Sequence, residues 1–345
     1  MLKKVCLGFF NQILPQMTHF PVISSNLSPT HLAIFVKEKY GLSNFTLCNL
    51  LKAGINHTYL IKDEDKRFIF RIYSLNWRTE NEILEEIRLL NLLKANTISV
   101  SYPITDKTNN YIQTINAPEG ERLAVMFSYA EGEKLLNYDE ENHFKIGIIM
   151  AQIHQLTKNL ELERIEYTPQ LLIDDVFNYL SNFLDNDSDE MAFMQSTQKH
   201  LLVEFSKIKI EKIRTGIVHL DIWFDNLNIS KDGKITIFDF DFCGNGWLCM
   251  DIAYYVLQLH STERDEAICK SKLDSFLAGY ESVSEISDEE KRIFPILGIS
   301  LYFFYIGIQC QRFDNWSNTF LNEMYLKRFI NLLIKRYFDL NKVGQ

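Results

Sequence analysis

The stretch from residue 217 to 241 constrains this chain more than any other. It reads Ile217-Val218-His219-Leu220-Asp221-Ile222-Trp223-Phe224-Asp225-Asn226, turns at Lys231-Asp232-Gly233, and ends Phe238-Asp239-Phe240-Asp241. The spacing is H-x-D-x-x-x-x-N, with a second aspartate 13 positions after the asparagine. An apolar run enters His219 and an apolar strand enters Asp239, so both acids stand at strand ends, where a rigid scaffold can present them. Asp221, Asn226 and Asp239 are hard oxygen donors. Mg²⁺ takes one or two such protein oxygens and fills its shell with water and phosphate. Phosphoryl transfer needs that metal plus one carboxylate to position and deprotonate an acceptor hydroxyl. The pattern therefore assigns Asp221 as base and Asn226 and Asp239 as metal ligands. An isolated HxD has an ordinary turn explanation. The joint occurrence with an Asp-Gly hairpin and a strand ending in Asp carries the inference.

Around this segment the chain changes character near residue 130. Before it, residues 45–51, 56–61, 67–73, 111–115 and 123–129 are strand-like, rich in Phe, Ile, Thr and Tyr. Residues 79–94 are helical, with Ile83, Ile87, Leu90 and Leu93 in helical register. Ser28-Pro29 opens a helix over 31–40 that Gly41 stops. After residue 130, residues 141–156, 171–184 and 191–210 show helical periodicity, and Ser287 to Glu290 forms a capping box. Residues 227–230 and 234–238 form the one β island. The expected architecture is α+β and bilobal: an antiparallel sheet with one helix over 30–130, a larger, mostly helical lobe over 131–345, and an extension over 1–29.

Composition narrows the classes. Thirty-six Lys and Arg against 45 Asp and Glu give a net charge of −9, which argues against a general nucleic-acid or anionic-membrane binder. The six cysteines form no CxxC or zinc spacing, so cytoplasmic thiols are expected. The apolar run at 296–308 is short for a membrane span and reads as a buried helix. Residues 1–10 carry two lysines and an apolar patch but no small-residue cleavage site follows.

The catalytic segment resembles that of the aminoglycoside phosphotransferase and choline kinase family, relatives of the protein kinases, whose members carry H-G-D-x-x-x-x-N and then an I-D-F/W-D/E strand. Here Leu220 stands where glycine is usual. Pro21-Val22-Ile23, Ala117-Pro118-Glu119-Gly120-Glu121-Arg122, Gly244-Asn245-Gly246-Trp247 and Asp251-Ile252-Ala253 extend the likeness to a subgroup holding homoserine-kinase-like and stress-kinase-like proteins.

The resemblance implies a protein-kinase-like fold with ATP or GTP between the lobes. Arg71 takes the place of the phosphate-contacting lysine, and Glu86 is its helix partner, with Glu82 as second choice. Gly54 and Asn56 would sit in the phosphate-covering loop. Phe127 and Tyr129 would supply hinge backbone to the base. There is no G-x-x-x-x-G-K-S/T, so a Walker-type site is excluded. His219 braces the loop, Asp241 lies behind the metal or binds it, and Trp223, Asp241 and Trp247 are candidates for the acceptor pocket. Tyr254, Asp314 and Trp316 are further candidates for its rim, while Tyr302 to Tyr305 are expected in the core. The implied activity is transfer of a phosphoryl group to a small-molecule hydroxyl such as an amino alcohol, an aminoglycoside or choline. The alternative is a nucleotide-binding pseudokinase, supported only by Arg71, Leu220 and the sparse glycine loop.

Overall fold

The structure, a computed structural model, describes residues 20–341 and Val343. Residues 1–19, which hold most of the expected extension and Cys6, lie outside that range. Pro29 sits in the first turn of α1 (Pro29–Tyr40), and Gly41 closes it in the left-handed conformation at φ 68°. The Ser28 hydroxyl meets the His31 ring at 2.9 Å and makes no hydrogen bond to a helix amide.

Six strands follow: β1 (Leu47–Ala53), β2 (His57–Asp63), β3 (Lys66–Ile72), then α2 (Glu80–Ala95), β4 (Pro103–Ile104), β5 (Ile112–Ala117) and β6 (Gly120–Ser128). They form an antiparallel sheet of order β1-β2-β3-β6-β4, with β5 also paired to β6. Side chains alternate across it. Phe70, Ile72, Ala124 and Met126 pack under Leu32 and Val36 of α1. Arg71, Val125 and Phe127 therefore face the other way, toward α2. That alternation decides which side of β3 can carry chemistry.

The remaining chain is mostly helical: α3 (Glu140–Thr157), α4 (Phe177–Leu180), α5 (Asp189–Ser206), α6 (Cys249–Thr262), α7 (Glu266–Glu281) and α8 (Asp288–Gln311). Two small ladders interrupt it. β8 (Leu227–Ile229) and β9 (Ile235–Ile237) form the expected hairpin, while β7 (Thr215–Val218) pairs with β10 (Gly244–Trp247), a long-range pairing without a local signal. The helix expected over 171–184 is broken into a π-helical turn, Gln170–Asp174, and the short α4. Its Leu172, Ile173, Val176 and Leu180 are all buried in the main core, so docking has overridden periodicity. Helix α8 is long and apolar enough to cross a membrane, yet 78% of its most apolar window is buried inside the fold. Ser300 within it bonds the Ile296 carbonyl at 2.8 Å, which satisfies the hydroxyl there.

Helices α3 and α7 touch backbone to backbone. A Cβ at Gly279 would collide with the Phe144 carbonyl oxygen, and one at Gly147 with that of Phe276. Gly279→Ala should destabilise the protein by about 1–3 kcal/mol, as overpacking does, although alanine is the better helix former by roughly 1 kcal/mol. Urea denaturation reads this as a lowered midpoint; an unchanged one would show that the two helices can part freely.

Candidate active site

The acidic loop after β7 is held from behind. Asp251, in the first turn of α6, is 1% exposed and accepts the backbone N–H of His219 at 2.9 Å and of Leu220 at 2.6 Å. Its other contact is the His154 ring at 3.0 Å, which in turn meets the Tyr280 hydroxyl at 2.7 Å. These partners let the loop take a conformation it would not choose alone. Leu220 has φ 61°, in the left-handed region that costs a non-glycine residue roughly 1–2 kcal/mol. Glycine at this place would be free of that cost. Leu220 keeps the same backbone turn and buries its side chain completely. Its carbonyl accepts from the Tyr305 hydroxyl at 2.6 Å.

His219 braces the loop. Its Nδ1 accepts the Asp221 N–H at 3.1 Å, and Nε2 donates to the Phe238 carbonyl at 3.3 Å. Burial keeps the imidazole below its ordinary pKa, hence neutral. Both ring nitrogens are engaged within the loop, the bracing contacts expected of His219.

Asp221 lies between two donors: the Tyr254 hydroxyl reaches Oδ1 at 2.6 Å and the Asn226 amide reaches Oδ2 at 2.6 Å. Burial pushes its carboxyl up to about 8; the charge of Asp239 adds to the rise and the two hydrogen bonds oppose it. Asn226 also donates to the Asp221 carbonyl at 3.0 Å, so its amide oxygen is the end left for a cation. Asp239 follows β9 in the left-handed conformation, φ 66°, one that aspartate tolerates better than most residues. Its Oδ1 receives Arg71 Nη2 at 2.9 Å. The other arm of Arg71, Nη1, reaches Glu86 Oε1 at 2.9 Å, and Tyr73 donates to Glu86 Oε2 at 3.0 Å. Glu86 is thus the helix partner. Glu82 is occupied by the Thr79 capping box.

Two cavities of about 380 Å³ each meet at this cluster. One runs between the sheet and the β8–β9 hairpin, with Ile69, Leu90, Phe127 and Phe238 as apolar walls and Tyr129 and Ala130 at its edge. The other runs toward α6 and α8 and contains Asp221, Trp223, Tyr254 and Trp316. Both are lined by Lys52, Thr58, Arg71, Asn226 and Asp239. Gly54 and Asn56 border the second cavity rather than the first, and the Asn56 side chain accepts the Ser74 N–H at 3.2 Å.

Three expectations need correcting. Trp247 does not reach either cavity; it pairs with Thr215, at the end of the β7–β10 ladder away from His219, and stacks on Phe205. Asp241 borders the second cavity, but Trp77 Nε1 at 2.7 Å and Arg78 Nε at 3.2 Å hold its two oxygens, so it braces α2's approach and has no free oxygen for a substrate. Tyr302 is buried in the main core and Tyr305 packs against it, as expected, and both also line the second cavity. Asp314 is not among the residues lining either cavity. Arg164, which bonds the carbonyls of Glu82, Asp241 and Cys243, had no sequence signal, because each partner is remote in the chain.

The donor set fits Mg²⁺. Among the described residues no cluster of three or more His, Cys, Asp or Glu side chains could hold a metal alone. An amide oxygen and a 40%-exposed carboxylate facing a shared cavity suit an ion that keeps water and takes phosphate oxygens. The first cavity, apolar with polar groups at its rim, suits a nucleotide base.

Comparisons with known proteins bear on the family and the fold. The profile of the phosphotransferase enzyme family matches residues 48–286. An uncharacterized protein of Synechocystis sp. is 27% identical over 90% of this chain and 85% of its own length. A homoserine kinase of Agrobacterium fabrum is 22% identical over 89% of this chain and 91% of its own. An amicoumacin kinase solved with AMP-PNP, Ca²⁺ and Ami has a TM-score of 0.73 at 21% identity, covering 91% of this chain and 97% of that one.

The strained loop depends on Asp251. Asp251→Ala strips two buried N–H groups of their acceptor and should cost about 3 kcal/mol or more, since breaking a buried charged network is that expensive. A urea midpoint close to wild type would show that other contacts hold the loop.

Proposed function

This chain belongs to the phosphotransferase enzyme family, and from that premise we propose that it moves the γ-phosphoryl group of ATP or GTP to a hydroxyl of a small molecule carrying an amine, an amino alcohol or an aminoglycoside-like compound. The supporting observation is the meeting of two cavities at Arg71, Asn226 and Asp239, with Asp221 on the second side only. Nucleotide in the first and acceptor in the second would face each other across those residues. We assign residues 30–130 and 131–345 as the two working lobes and the cytoplasm as the compartment, in keeping with five free cysteines among the described residues.

Asp221 orients the acceptor hydroxyl and receives its proton. Tyr254 and Asn226 fix the direction of that carboxylate. Arg71, kept charged by Asp239 and Glu86, meets the nucleotide phosphates. A Mg²⁺ ion at Asn226 and Asp239 would supply neutralisation of phosphate charge. His219 and Asp251 hold the loop in register and take no proton from substrate. Catalysis on this account is positioning and electrostatics. Trp223, Tyr302 and Trp316 give the acceptor side aromatic faces that suit a protonated amine. Arginine in the lysine place does not speak for a pseudokinase, because it keeps the positive charge and the ion pair with the helix glutamate, Glu86.

Asp221→Asn should lower turnover by about a hundredfold or more, the usual weight of a positioned general base, while nucleotide affinity stays within about twofold. Retained turnover removes Asp221 from the base role. Chelating the divalent metal should abolish turnover in the wild-type protein, and activity that survives chelation contradicts the metal assignment.

A further inference from the structure

β1 and β2 pair as Leu50↔Tyr59 and then Lys52↔Thr58, so Leu51 is an extra residue, a β-bulge. The bulge changes which face Lys52 occupies. Tyr59 and Leu50 belong to the core under α1, and Thr58 lines both cavities. In unbroken register Lys52 would oppose His57, on the core face; the bulge sets it opposite Thr58, on the cavity face. Lys52 consequently lines both cavities, with its ammonium 3.4 Å from Asp225 Oδ2 on the second.

The cations near that junction differ in freedom. Arg71 is buried and held by Glu86 and Asp239 together. Lys134 lines the first cavity only and is bound to Asp225 Oδ1 at 2.7 Å. Lys52 is 63% exposed and touches the other oxygen of Asp225 at 3.4 Å. Such an exposed, long pair contributes little. If Lys52 leaves, Asp225 retains Lys134. Lys52 is therefore the cation at the junction that can change partner at small cost.

Resting on the phosphotransfer reading above, we propose that Lys52 contacts the terminal phosphoryl group of the nucleotide, exchanging Asp225 for it. The bulge and the carboxylate of Asp225 hold the lysine beside the junction until the triphosphate arrives. A contact to the terminal phosphate alone has a distinct signature: it strengthens binding of a triphosphate and leaves a diphosphate unaffected.

The test compares AMP-PNP and ADP binding by titration calorimetry with Mg²⁺ present, for wild type, Lys52→Met and Lys52→Arg. Lys52→Met should weaken AMP-PNP by about tenfold, the scale of one charge-assisted hydrogen bond, with ADP within about twofold. Lys52→Arg should restore most of the AMP-PNP affinity. Equal losses for both nucleotides would mark Lys52 as a structural tie and overturn the proposal, as would no loss for either. A wild-type protein that binds neither nucleotide would bring down the phosphotransfer reading along with it.

Discussion

One buried guanidinium organises the cleft. Arg71 joins β3 to Glu86 on α2 and to Asp239 beyond β9, so three separate parts of the chain meet at a single charge. Burial alone would disfavour that charge; Asp239 and Glu86 keep it. The net stabilisation from such a buried triad is small, because desolvation offsets most of the attraction. Its value is geometric: removing any one member strands the others, so the sheet, α2 and the Asp239 strand are held in one arrangement. Asp241 extends the same logic through Trp77 and Arg78, and Arg164 through three backbone carbonyls.

The second anchor lies behind the cleft. Asp251, His154 and Tyr280 form a buried polar chain that ends on the amides of His219 and Leu220. It explains how a leucine occupies a left-handed position where the resembling family uses glycine. The backbone turn is imposed by the acceptor behind it and by the burial of Leu220, so side-chain identity alters strain without altering shape. Nearby, the same loop presents Asp221 to Tyr254 and Asn226, and places the carboxylate beside one cavity only.

What could be read in advance followed the range of each signal. Helices with a clean apolar stripe, such as α2, and hairpins with a strong turn, such as β8–β9, are written in a few consecutive residues. So is the spacing of Asp221, Asn226 and Asp239, which the fold brings around one junction. Pairings between distant segments leave no such trace. The β7–β10 ladder, the break in the 171–184 helix and the role of Arg164 all arise from docking. Trp247 misleads for the same reason: close to Asp239 in sequence, it lies at the far end of its ladder. Tyr305 packs against the core as its apolar neighbours on α8 imply, and its place at the rim of the second cavity is set by how that helix docks. Lys52 was invisible because its direction is decided by one unpaired residue in β1.

The proposed reaction is direct transfer of the phosphoryl group across the junction of two cavities. Incubating the protein with Mg²⁺, γ-¹⁸O-labelled ATP and a panel of amino alcohols, aminoglycosides, choline analogues and sugars, followed by mass spectrometry, tests it most directly. A labelled phosphomonoester on a hydroxyl of an amine-bearing acceptor is the expected product. Nucleotide binding with no label on any acceptor would contradict it.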